Sequence, residues 1–206
     1  MLIEHGNWIG FYPNEVSRES ARASLGIAAD SFVCLFFGLC KPYKNLEHLV
    51  RSHRRLRDDS LLWIVGRFQS PAYRTSILEA AAEAEARTGS VTIRDGLVDR
   101  KDIQIYMNAC DAVVLPYREI LTSGAVMVAL SFGRPVVAPR IGSLVEVVTP
   151  DCGVLYDPDA EGALVDAIRA VQSRRYGPER IMSMAAGFSW DRSAAEFARR
   201  VLEQRR

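Results

Sequence analysis

Residues 111–140 read DAVVLPYREILTSGAVMVALSFGRPVVAPR, and the way this stretch divides sets the fold. AVVLP (112–116) is a short, continuously apolar run, as a strand covered on both faces must be. A polar loop, YREILTSG, separates it from AVMVAL (125–130), which is apolar all round and therefore reads as a helix buried on every side. PVVAP (135–139) is a second covered strand. Strand, buried helix, strand is the repeating unit of a parallel sheet, with a right-handed crossover.

The same alternation continues outward. FVCLFFG (32–38), LLWIVG (61–66), VTIR (91–94) and GVLY (153–156) bring the strands to six. Asn45 reads as an N-cap, after which Leu46, Leu49, Val50 and Leu56 fall on one helical face. Ser70-Pro71 opens an Ala/Glu-rich helix running to about Thr88, with Gly89 as its stop. A helix from Asp99 turns Ile103, Tyr106, Met107 and Cys110 inward. Leu164, Ile168 and Val171 mark another after Asp159, and Trp190, Ala194, Phe197 and Val201 mark the last. The pattern predicts an α/β chain: a doubly wound, mostly parallel six-stranded sheet with helices on both faces, Rossmann-like. Residues 1–22 hold no stable period and read as a linker from a further, N-terminal domain, leaving 23–206 as one domain.

Composition supports one sizeable core: 206 residues, 49% hydrophobic and 25% charged. With 26 Lys+Arg against 25 Asp+Glu and no dense basic stretch interleaved with aromatics, nucleic acid is excluded as the main partner. Mean hydropathy is -0.01, and no apolar run approaches the ~18 residues of a spanning helix. Without a secretory leader, the expectation is a soluble cytoplasmic protein. Cys34, Cys40, Cys110 and Cys152 lack metal-ligand spacing, so no metal site is expected and they read as buried thiols in a reducing compartment.

In an open parallel sheet the ligand crevice lies beyond the carboxyl ends of the strands. After the first strand, GLCKPYKN places Lys41 and Lys44 about one turn apart beside Gly38, where two ammonium groups can neutralise a diphosphate. The competing reading is a solvated loop with two ordinary lysines. After the fourth strand, Ser123 and Gly124 stand where the buried helix begins; free amides and the positive end of the helix dipole make an anion site, and glycine admits close approach. The competing reading is a capped core helix. No GxxxxGK[ST], GxGxxG or GxSxG occurs, and His5, His48 and His53 have no nucleophile partner. His48 and His53 read as exposed or boundary positions of the first helix. What remains is catalysis by positioning a charged leaving group.

Taken in order, FFGLCKPYKNLEHLV, LLWIVGR, VTIRDGLVDRKDIQIYMNACDAVVLPYRE, TSGAVMVALSFGRPVVAPRIGSLVEVV and CGVLYDPDAEGALVDAI resemble a known family. It is the C-terminal, nucleotide-sugar-binding half of the group 1 (family 4 type) retaining glycosyltransferases, two-domain enzymes of the glycosyltransferase B fold. The resemblance covers residues 3–204. It implies that Lys41 and Lys44 hold the donor diphosphate, with Leu39 standing at the family's arginine position and Lys41 taking that arginine's role. It further implies phosphate contacts from the Ser123 and Gly124 amides and nucleobase contacts from Gly96, Leu97 and Val98. Arg67 would flank base or ribose, a solvated arginine being the competing reading. The family's two glutamates, seven residues apart, fall on Ile120 and Val128 here; Glu119 can replace the first after a one-residue slip, and nothing replaces the second. Glu146 fits a further glutamate of the family, as a structural or ligand-contacting group.

The function implied is the donor-binding half of a glycosyltransferase that moves a sugar from a nucleoside diphosphate to an acceptor. It would need an N-terminal acceptor-binding domain or separate subunit, be inactive alone, and require no metal because lysines and helix amides stabilise the leaving group. The missing half would bring any peripheral contact with the inner face of a membrane. The alternatives are a non-catalytic nucleotide-sugar-binding module and part of a nucleotide-sugar epimerase. Trp8, Phe11 and Tyr12 with Trp190, Phe197 and Val201 would drive self-association unless they pack on each other.

Overall fold

The computed structural model describes residues 5–56, 60–85 and 91–203. Its strands are β1 (Phe32–Phe37), β2 (Ser60–Gly66), β3 (Val91–Asp95), β4 (Ala112–Val114), β5 (Val136–Pro139) and β6 (Gly153–Tyr156). The helices are α1 (Arg18–Leu25), α2 (Leu46–His53), α3 (Pro71–Glu85), α4 (Ile103–Ala109), α5 (Gly124–Ser131), α6 (Leu144–Val147), α7 (Ala163–Ser173), α8 (Pro178–Ala186) and α9 (Trp190–Glu203), with a 3-10 turn at Pro42–Lys44. All strand pairings are parallel, in the order β3-β2-β1-β4-β5-β6, and helices cover both faces. The fold is α/β, doubly wound and Rossmann-like. From β1 the chain winds outward through β2 to β3, then returns to lay β4 on the other side of β1. The two halves therefore part at the carboxyl ends of β1 and β4, where such sheets open a crevice.

Burial explains the elements. Every residue of β4 and β5 is buried, and so are the four central residues of β1, which matches their uninterrupted apolar runs. In α5 all residues from Val126 to Ser131 are buried, so the helix runs through the core rather than over it. The four cysteines are free and buried. Among the described residues no helix is long and apolar enough to cross a membrane.

Several expectations are corrected. Asn45 adopts the left-handed region (φ 57) and its side chain caps nothing. A turn in which the Asp102 amide donates to the Asp99 carbonyl delays α4, which starts at Ile103 rather than Asp99. His53 is not at the surface: it is 3% exposed at the end of α2, and burial pushes its pKa down to about 4 despite a backbone hydrogen bond at Ser60. The end of α3 near Thr88 and Gly89 lies outside the described residues. Helices α1, α6 and α8 carry no signal in the sequence pattern, and residue 22, the expected domain boundary, falls inside α1.

The N-terminal segment is fastened to the far end of the chain. The Asn7 amide and side chain both donate to the Phe188 carbonyl (2.8 and 2.6 Å), and the Trp190 indole N–H donates to the Asn7 carbonyl (2.8 Å). Trp8 and Trp190 meet edge to face, 5.5 Å between centroids. Residues 5–8 thus pack on the start of α9, one of the outcomes expected for these aromatics, while Phe197 stays 49% exposed.

Candidate functional site

The site begins with two glycines. Gly66 ends β2 with φ 153, and a Cβ there would lie 1.8 Å from the Gly38 carbonyl oxygen, so only glycine lets the ends of β1 and β2 approach this closely. The ladder continues past the strands: Gly38 N–H donates to Val65 O (3.0 Å), Cys40 N–H to Arg67 O (2.9 Å) and Gln69 N–H to Cys40 O (2.9 Å). This pairing carries the loop of 38–45 across the sheet edge, and the Pro42–Lys44 turn folds Lys44 back under it.

The Lys44 ammonium consequently sits over Gly38, 3.4 Å from where a Cβ would stand, with Nζ 5.5 Å from the ring centroids of both Phe36 and Tyr117. The residue is 8% exposed. Among the described residues no carboxylate pairs with it. Desolvation pushes its pKa down to about 8; Lys41 pushes the same way and Cys40 opposes. Lys41 itself is half-buried at the start of the turn.

Tyr117 joins this ammonium to α5. Its hydroxyl lies 3.2 Å from Ser123 Oγ, and Ser123 Oγ caps the helix by accepting from the Val126 amide (3.3 Å). The amides of Gly124 and Ala125 have no acceptor within the helix. The Arg118 amide donates to the Tyr43 carbonyl (2.8 Å), tying the loop after β4 to the loop after β1. Gly38, Lys41, Lys44, Ser123 and Gly124 are therefore gathered at one sheet edge, as the strand-end rule predicts.

Glu119 is exposed and lines an open cleft of about 490 Å³ with Tyr43, Ile120, Leu121 and Thr122. Among the described residues it forms no ion pair with Arg118 or Arg140. Its loop is braced from below: Ser143 Oγ donates to the Leu121 carbonyl (2.5 Å), and a Cβ on Gly142 would meet the Ile120 carbonyl at 2.4 Å. Val128 points into the core, 7% exposed. Gly96, Leu97 and Val98 follow β3, with the Gly96 amide donating to Gly66 O (3.4 Å); Leu97 is 75% exposed and Val98 packs on the core. They and the exposed Arg67 stand on the same edge as Lys44 but one and two strands away, about 5 and 10 Å.

Some residues at this edge escaped the sequence reading. Tyr43 lines the open cleft and Tyr117 is buried with its ring 6.2 Å away; an aromatic at a strand end gives no sign of which loop it faces. His5, which the sequence reading left without a role, lines a small cavity of about 30 Å³ with Thr122, Ser123 and Glu146, the last already read as a structural or ligand-contacting group. The placement of His5 depends on contacts with Phe188 and Trp190, which no local pattern discloses.

With this geometry in hand, comparison with known proteins places the chain. It belongs to the glycosyl transferases group 1 family, whose model matches residues 31–174. A GDP-mannose:glycolipid 4-beta-D-mannosyltransferase of Xanthomonas campestris pv. campestris is 36% identical over 144 residues, 66% of this chain and 40% of that protein. The Anabaena protein HepE in complex with UDP-glucose superposes with a TM-score of 0.81 at 20% identity, covering 98% of this chain and 57% of that one. The C-terminal domain of a group 1 family glycosyl transferase (LpcC) from Francisella tularensis gives 0.64 at 16% identity, covering 91% of this chain and 95% of that one. The two structures speak for the fold alone. The chain spans less than half the length of the mannosyltransferase it matches.

Proposed function

We propose that this chain binds a nucleoside diphosphate sugar at the carboxyl edge of β1 and β4 and serves as the donor-binding half of a glycosyltransferase. One observation carries the reading: a nearly buried ammonium, Lys44, with no carboxylate partner among the described residues, set against Tyr117, whose hydroxyl meets the Ser123 cap of α5. A buried charge is retained against its desolvation only where an anion meets it. In this reading Lys41, Lys44 and the Ser123 and Gly124 amides take the diphosphate. Their charge stabilises it as leaving group without recourse to a metal ion. Glu119 accepts hydrogen bonds from the sugar, and the backbone of Gly96, Leu97 and Val98 meets the base with Arg67 beside it. The family membership supports this assignment, as do the GDP-mannose donor in the name of one relative and the UDP-glucose bound to HepE. The acceptor is left to a further domain or subunit; the near end-to-end match to a domain described as C-terminal supports that division. A second reading, a nucleotide-sugar binder without turnover, draws on Val128, since no carboxylate reaches the crevice from α5.

Calorimetric titration of the chain with UDP, GDP and ADP tests the site. Replacing Lys41 and Lys44 together by Ala is expected to weaken the best-bound diphosphate at least tenfold, about 1.4 kcal/mol. Affinity is also expected to fall as salt rises. An unchanged dissociation constant would put the site elsewhere.

A further inference from the structure

His5 stands outside the Rossmann-like body, yet it is seated at the helix end on which the diphosphate reading depends. Its Nε2 lies 3.3 Å from where a Cβ on Gly124 would stand, and it is the atom nearest that position. The seat is built. Gly6 is pressed so closely on the Trp190 ring that a Cβ would lie 2.4 Å from it, Asn7 is bonded three times to Phe188 and Trp190, and the His5 and Trp190 rings are 4.7 Å apart. His5 Nδ1 is 2.8 Å from the Gly6 carbonyl. A carbonyl only accepts, so Nδ1 carries the hydrogen and Nε2 is the free nitrogen. Among the described residues Nε2 has no hydrogen-bond partner.

His5 reaches the end of α5 directly, and Lys44, more than nine-tenths buried, is linked to it through Tyr117, whose ring it faces and whose hydroxyl meets Ser123. Other groups facing His5 are Glu146 from α6, Thr122 and Ser123 from the loop, and Phe188.

We propose that His5 is a binding residue for the terminal phosphate of a nucleoside diphosphate seated at the Ser123 and Gly124 amides: Nε2 takes up a proton from solvent as the phosphate arrives and donates it to a phosphate oxygen, while the Nδ1–H stays on the Gly6 carbonyl. The proposal rests on the donor-site reading above and adds the N-terminal segment to that site. A His5–Glu146 pair without ligand contact is the alternative outcome.

The test is titration of the full chain and its variants with UDP and UMP, and with GDP and GMP. His5→Phe is expected to weaken the preferred diphosphate about tenfold and to leave the monophosphate within twofold. His5→Gln keeps an N–H donor and is expected to recover most of the loss. Should His5→Phe fold poorly, His5→Gln and the Nε2 resonance of the unmodified chain suffice: that resonance is expected to shift with diphosphate and not with monophosphate. Equal weakening of both nucleotides, or no change in either, overturns the assignment of His5 while leaving the crevice in place. A chain that binds neither nucleotide overturns both readings.

Discussion

Lys44 keeps its ammonium where water barely reaches, and that has a measurable sign. Its pKa, about 8 against an ordinary 10.5, is depressed by burial, so between those values the unfolded chain holds a proton that the folded chain has lost. Stability attributable to this residue therefore rises with pH across that window, and below about pH 8 the full desolvation penalty is present. Lys44→Met is expected to stabilise the chain at pH 7 by about 1–3 kcal/mol. The gain should shrink as pH approaches 10.5, while diphosphate affinity falls at least tenfold. Denaturant unfolding at pH 7 and 10 measures it; a destabilised variant at pH 7 would mean that the ammonium already has a partner. Glu119 makes the complementary case. It is exposed at the rim with no ion pair among the described residues, and hydrogen bonds from sugar hydroxyls to a carboxylate contribute roughly 1.5–3 kcal/mol. Glu119→Gln keeps the shape and removes the charge. Affinity for the nucleotide sugar is expected to drop while that for the bare diphosphate holds; equal losses, or none, would remove Glu119 from the site.

The elements differ in how plainly the sequence announces them. Strands β4 and β5 are only three and four residues long, yet they are wholly buried, and full burial imposes the unbroken apolar run that reveals them. Helix α1 is the opposite case: RESARASL has no apolar stripe, because its inward group is Arg22, 3% exposed. That guanidinium donates to the carbonyls of Ala28, Ala29 and Ala109 and to Asp111, acceptors scattered up to 89 residues away. Helix α8 buries only Ile181 and Ala185, too few positions to set a period. The same contrast holds at the site: the strand-end rule finds Lys41, Lys44, Ser123 and Gly124, because topology alone sets their edge, and misses Tyr117 and His5, whose roles depend on packing. Glycines carry a testable difference. Gly66→Ala must separate the ends of β1 and β2, and is expected to cost about 3 kcal/mol or more. Diphosphate affinity should fall with it, since Gly38 forms the floor beneath Lys44. Gly96 also has a positive φ, 133, but nothing lies within 4 Å of its added Cβ, so Gly96→Ala should cost only about 1–2 kcal/mol. Thermal unfolding of the two variants, paired with titration, checks the order; equal losses would mean that backbone strain alone, and not the approach to Gly38, makes glycine necessary at residue 66.

Across the whole molecule the sheet supplies a floor and one wall but leaves the proposed donor site open. Leu121 beside Glu119 is 87% exposed, and Leu97, one of the proposed base contacts, is 75% exposed, so each turns an apolar side chain to solvent at this edge. Electrostatic stabilisation of a leaving group gains its strength when water is excluded, and a crevice open on this side lets solvent screen whatever charge develops outside the buried Lys44. The mannosyltransferase relative is matched over 40% of its length, and in the proposed reading the opposite wall comes from a further domain or subunit. These facts lead to a prediction for the chain on its own: it should bind the donor and transfer no sugar. Incubation of pure chain with labelled UDP-glucose or GDP-mannose and a range of glycolipid acceptors is expected to give no product above the no-protein control, even where calorimetry shows the nucleotide bound. Reconstitution with an acceptor-binding half should produce transfer that depends on Lys44. Turnover to an acceptor by the chain alone would show that the exposed rim is already a complete active site and would overturn the division of labour; binding followed by persistent inactivity with a competent partner half would favour the non-catalytic binder that Val128 suggests.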